Sequence, residues 1–138
     1  MASGSCLCGA VRYEVSAALR PVVACHCTQC RKQTGHFYAA TSCASEALTI
    51  RDPEARLRWY EASAEAARGF CGTCGSALFW RAHESANTSI LAGSLDDHDG
   101  VRLDRHIFVA SKGSYYEIAD GCPQYPASDT GGPTRPAP

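Results

Sequence analysis

Three short segments concentrate sulfur: Cys6-Leu7-Cys8, Cys25-His26-Cys27-Thr28-Gln29-Cys30 and Cys71-Gly72-Thr73-Cys74. Together they hold seven of the nine cysteines. Spacing of this kind brings several soft donors to one point, and a thiolate-bound metal, zinc before iron, is the expected occupant. The count divides the clusters. Two cysteine pairs complete one four-thiolate set. The triple offers three ligands and no evident fourth. Structural zinc sites are closed, whereas catalytic ones keep a position open.

The two pairs share a local pattern. Cys6-x-Cys8-Gly9-Ala10-Val11 echoes Cys71-x-x-Cys74-Gly75-Ser76-Ala77-Leu78. In each, glycine permits a tight turn that aims backbone N–H groups at the sulfurs. Cys6, Cys8, Cys71 and Cys74 are therefore expected to hold one structural zinc. Spacing leaves a second pairing open, in which Cys71 and Cys74 join the middle cluster.

The middle cluster lacks that glycine and runs into Arg31-Lys32. Three thiolates on Cys25, Cys27 and Cys30 would leave a divalent zinc with net negative charge. Such a metal generates hydroxide poorly, because low-pKa zinc-bound waters go with neutral imidazole ligands. It suits capture of a substrate thiolate, kept deprotonated yet nucleophilic, for attack on an aldehyde-like carbon. The competing reading closes the site with a fourth donor from Cys43, Cys122, His36 or His106. His26 lies between two ligands and should point away in an extended stretch.

A disulfide scaffold is the alternative use of nine cysteines. The odd count, the absence of an export-like start and the Cys-x-Cys spacings weigh against it. The thiol reading implies a reducing, cytoplasmic setting. The net charge of −1 argues against a broad phosphate-binding surface. No apolar run is long enough to span a membrane.

The positioning elements read as short strands, giving a mainly β chain. Residues 11–15 alternate apolar and polar. Residues 22–24, 36–41, 48–50, 57–60, 77–80, 89–92 and 106–109 are further strand candidates, rich in β-branched and aromatic residues. The alanine-rich stretch Glu61 to Arg68 reads as at most two helical turns, and Cys27 to Thr34 as one turn carrying the second cluster. A single domain is expected over residues 1–124, with a flexible Pro/Gly/Ser/Thr-rich tail over 125–138. Tyr38, Trp59, Trp80, Tyr115 and Tyr116 read as core or pocket wall.

At this point the residues resemble a known family. Gly4-Ser5-Cys6-Leu7-Cys8-Gly9-Ala10-Val11-Arg12-Tyr13 is similar to the opening of the glutathione-dependent formaldehyde-activating enzymes. Cys25 to Gly35 and Phe70 to Leu78 resemble their second and third motifs. Residues 92–97 and 105–109 resemble weaker, later ones. The resemblance implies an Mss4-like fold of small coiled antiparallel β-sheets organised around zinc. It implies structural zinc on Cys6, Cys8, Cys71 and Cys74 and catalytic zinc on Cys25, Cys27 and Cys30. The activity implied is a carbon–sulfur lyase reaction joining glutathione and formaldehyde to S-hydroxymethylglutathione, and its reverse.

Three functions follow from these readings. The first is a zinc-dependent enzyme for thiol–aldehyde adducts, with a small thiol and an aldehyde as partners and wall aromatics and His106 positioning the adduct. The second is a non-catalytic zinc module that binds a protein. The third is a redox enzyme of the methionine sulfoxide reductase type, which needs Cys122 as a reactive thiol.

Overall fold

The computed structural model describes residues 1–129 and 135–136. It is mainly β, as the alternating pattern requires. In chain order the strands are β1 (Ala2–Ser5), β2 (Arg12–Val15), β3 (Val22–Cys25), β4 (Tyr38–Ala44), β5 (Leu48–Arg51), β6 (Leu57–Glu61), β7 (Ala66–Cys71), β8 (Ala77–Ala82), β9 (Asn87–Leu91), β10 (Leu103–Ile107), β11 (Pro123–Gln124) and β12 (Arg135–Pro136). One α-helix, α1 (Thr28–Thr34), follows β3. The chain forms two compact units, residues 1–20 with 41–101, and residues 21–40 with 102–138.

In the first unit, β1, β2 and β5 form an antiparallel sheet. Strand β2 shows why: Arg12 and Glu14 face out while Tyr13 and Val15 are buried. Strands β6, β7, β8 and β9 form an antiparallel ladder. The core gathers Val11, Tyr13, Val15, Leu78, Phe79, Ile90 and Leu95 around Cys6, Cys43 and Cys71. Phe79 meets Tyr13 edge-on, with ring centroids 5.4 Å apart, and stacks on Trp59 at 6.1 Å.

The stretch Glu61 to Arg68 is not helical. The Ser63 hydroxyl accepts the N–H groups of Glu65 and Ala66, each at 3.2 Å, and turns the chain into β7. Strand β7 then lies between two partners, buried along most of its length. Its small residues fit that crowding. A Cβ on Gly69 would sit 3.1 Å from the Trp59 ring and 3.2 Å from the Phe79 Cβ. Tertiary packing overrides alanine's helix propensity here.

In the second unit, β3 pairs antiparallel with the start of β4. On its other side β3 pairs with β10 in parallel, with His106 beside Ala24 and Ile107 beside Cys25. Strand β10 also pairs in parallel with β11, which pairs antiparallel with β12. This sheet is therefore mixed rather than purely antiparallel. Residues 125–127 return along the end of β10. Tyr125 N–H donates to the His106 carbonyl at 2.9 Å, and Phe108 N–H to that of Ala127 at 2.8 Å. Residues 130–134 and 137–138, part of the expected flexible tail, lie outside the described residues.

Phe79 is fully buried and Tyr60 is 63% exposed. Phe79→Ala should therefore cost about 3–5 kcal/mol of unfolding free energy. Tyr60→Ala should stay within about 0.5 kcal/mol. Urea denaturation of the metal-loaded protein checks both.

Candidate metal centres

The first unit brings four sulfurs together. Cys6, Cys8, Cys71 and Cys74 present side chains whose sulfurs all lie within 4.8 Å of one another. Two loops of matching geometry carry them. Cys6 N–H donates to the Val11 carbonyl at 3.0 Å, and Cys71 N–H to that of Ser76 at 3.0 Å. Gly9 and Gly75 close the turns at φ of 81° and 79°, values that disfavour a side chain. Backbone N–H groups reach the sulfurs: Val11 to Cys6 at 3.3 Å and Thr73 to Cys71 at 3.4 Å. The echo seen in the sequence is thus a repeated backbone shape. Leu7 N–H also donates to the Ser76 hydroxyl at 2.9 Å, joining one loop to the other.

The Ser76 hydroxyl, 3.2 Å from its sulfur, draws Cys74 down to about 5. At Cys8 the Ala10 N–H favours the thiolate. Desolvation and the neighbouring Cys6, Cys74 and Cys71 outweigh it and push the thiol up to about 11. Several thiolates cannot share one point without a cation. Four soft donors, turned inward and served by N–H groups, fit a tetrahedral zinc.

The second unit gathers Cys25, Cys27 and Cys30, again with sulfurs within 4.8 Å of one another. Cys25 ends β3, Cys27 caps α1, and Cys30 lies in its first turn. The helix forms because the Cys27 sulfur accepts the N–H of Cys30 at 3.4 Å and Gly35 ends it in a left-handed conformation. Cys30 is buried, while Cys25 and Cys27 are half-buried. Hydrogen bonding to Cys27 and Cys30, followed by burial, raises the Cys25 thiol. Arg31 and Lys32 occupy the last turn of α1, and the Arg31 Nε is buried with no hydrogen-bond partner among the described residues.

Among the described residues, no fourth His, Cys, Asp or Glu joins these three sulfurs. Each candidate is engaged elsewhere. Cys43 is in the core of the first unit, where burial raises its thiol. The Cys122 sulfur lies 3.5 Å from the Leu103 carbonyl, and burial and Asp120 raise its thiol, the opposite of what a redox nucleophile needs. His36 packs edge-on against Tyr116 at 4.4 Å.

His106 is only 2% exposed. Its Nδ1 is 2.8 Å from His26 Nε2 and its Nε2 is 2.7 Å from Asp120 Oδ2. Both ring nitrogens are thus hydrogen-bonded within the protein. The His26 ring turns away from the sulfurs, as alternation requires, and its Nδ1 meets the Tyr116 hydroxyl at 2.9 Å. Burial lowers the His26 pKa to about 4, so the ring is neutral. Tyr116 and Asp120 carry no spacing signal. The only sequence hint was that two histidines in apolar surroundings need partners.

A mainly β scaffold thus presents one four-sulfur and one three-sulfur group, each of which could hold a metal ion. The chain belongs to the glutathione-dependent formaldehyde-activating enzyme family, whose model matches residues 1–111. A relative named an uncharacterized lyase, from Schizosaccharomyces pombe, is 25% identical over 118 residues, covering 85% of each chain. A crystal structure of a Rhodobacter sphaeroides protein is similar with a TM-score of 0.56 and 25% identity, covering 73% of this chain and 98% of that one.

Cys71 is a fully buried member of the four-sulfur group. Cys71→Ser should yield insoluble or unfolded protein, because metal binding at a closed site contributes directly to folding. Circular dichroism and metal content of the purified variant check this. A soluble, normally folded variant would contradict the structural role.

Proposed function

We propose that this chain is a carbon–sulfur lyase acting on adducts of a small thiol with an aldehyde. Glutathione and formaldehyde are the pair that the family's description supplies. The observation that carries the reading is the three-sulfur group with no fourth protein donor among the described residues. In this reading Cys25, Cys27 and Cys30 hold a catalytic zinc, and Cys6, Cys8, Cys71 and Cys74 a structural one. Zinc at the first of these sites supplies a way to keep a substrate sulfur ionised and nucleophilic at neutral pH.

The surrounding residues fit the task. Cys25 and Cys27 are half-buried, as a site that takes up a small thiol from solvent needs. Arg31 and Lys32, on the helix that carries Cys30, offset the negative charge of three thiolates and favour an anionic thiol. Phe37, Tyr115 and Tyr116 pack around His36 to form an aromatic wall. In adduct formation the thiol sulfur bonds to the carbonyl carbon and the thiol proton ends on the oxygen. The reverse reaction returns thiol and aldehyde. A reducing, cytoplasmic setting suits an enzyme that depends on seven unoxidised sulfurs. No helix among the described residues is long and apolar enough to cross a membrane.

Adduct formation from formaldehyde with a panel of small thiols tests the proposal. The zinc-loaded protein should accelerate the reaction for at least one thiol, and Cys27→Ser should reduce the rate to that of buffer. A wild-type rate no greater than the Cys27→Ser rate across the panel would remove the enzyme reading and leave the non-catalytic zinc module.

A further inference from the structure

His26 and His106 are the most enclosed polar rings of the second unit, 1% and 2% exposed. Their nitrogens form an unbroken chain. Tyr116 hydroxyl meets His26 Nδ1 at 2.9 Å, His26 Nε2 meets His106 Nδ1 at 2.8 Å, and His106 Nε2 meets Asp120 Oδ2 at 2.7 Å. The other Asp120 oxygen accepts the N–H of Cys122 at 3.0 Å.

The direction of the last bond is fixed by the carboxylate. A carboxylate only accepts, so His106 carries its proton on Nε2. His106 Nδ1 and His26 Nε2 share one proton between them. His26 Nδ1 pairs with the Tyr116 hydroxyl, which can donate or accept as the ring requires. No ring nitrogen is left over. A buried network satisfied at every member holds one arrangement, and losing one member strands another.

The network grips a particular residue. His26 lies between Cys25 and Cys27, and its backbone N–H donates to the Ile107 carbonyl at 3.0 Å. Both the main chain and the ring of that residue are therefore held. In extended backbone the two flanking sulfurs project to one side and the intervening ring to the other. The ring thus serves as a handle on the sulfur pair.

We propose that Asp120, His106 and Tyr116 are positioning residues that act through the His26 ring to hold the Cys25 and Cys27 sulfurs at the separation a metal ion requires. This rests on the reading of those sulfurs as metal ligands. Partners one shell out from a metal ligand typically control affinity by tens of fold. Here the control passes through a residue between ligands rather than through a ligand itself.

The test uses the zinc-loaded full chain and chelator competition, with cobalt(II) substitution to tell a three-sulfur from a four-sulfur site. Asp120→Ala and His106→Ala should weaken metal binding at the three-sulfur site about 10-fold or more while the four-sulfur site is unchanged. Asp120→Asn, whose amide oxygen can still accept from His106, should recover most of the affinity. Imidazole nitrogen NMR should show His106 protonated on Nε2 in the wild type. If His106→Ala fails to fold, Asp120→Ala carries the test, because that side chain is 38% exposed. Unchanged affinity in both Asp120→Ala and Tyr116→Phe would overturn the proposal, as would equal weakening at both sites. A wild-type chain that takes up one zinc would overturn it together with the ligand assignment. Absence of thiol–aldehyde activity with metal affinities behaving as expected would overturn the lyase reading alone.

Discussion

The constraint on which the structure depends is electrostatic: thiolates brought within 4.8 Å of one another need a cation. Without one, protons distribute unevenly, as the opposed shifts of Cys74 and Cys8 show. The chain nevertheless invests backbone in bringing these sulfurs together. Two glycine turns, two N–H to sulfur bonds and a linking bond from Leu7 to Ser76 serve one group. A strand end and a seven-residue helix capped by sulfur serve the other. A fold built in this way could hold a metal at each group, and a small β core would gain from it.

The two groups differ in what surrounds them. The four-sulfur group draws on the core of its unit, since Cys6 and Cys71 belong to the same cluster as Tyr13 and Phe79. The three-sulfur group rests on polar residues. Behind it are two buried histidines, a tyrosine hydroxyl and a carboxylate, every one bonded. Apolar packing surrounds the four-sulfur group. In the positioning role proposed for it, the directional network would supply the three-sulfur group with the constraint that a fourth protein donor gives.

Much of this was legible in the residues, for identifiable reasons. Cysteine spacing is a local property, so the three clusters were legible; which of them join was left open by spacing and is seen only in the fold, where Cys6 and Cys8 meet Cys71 and Cys74. Strand β2 was legible because one face is buried and the other wet. The Glu61 to Arg68 stretch was misread because alanine's preference is weak and the demand for small residues beneath Trp59 is tertiary. The parallel pairing of β3 with β10 joins segments about eighty residues apart and leaves no local trace. A histidine opening an apolar strand needs hydrogen-bond partners, but its sequence neighbours do not reveal that these are His26 and Asp120. The role of Asp120 was hidden for the same reason: it reads as an ordinary turn residue before glycine.

The central claim is that the second sulfur group binds metal with a position left for a thiol. Zinc stoichiometry combined with zinc-edge X-ray absorption, recorded before and after addition of a small thiol, tests it most directly. The account predicts two zinc ions per chain, one with four sulfurs and one with three, and a gain of sulfur coordination when the thiol is added. One zinc per chain, or two whose sulfur coordination the thiol does not change, would contradict it.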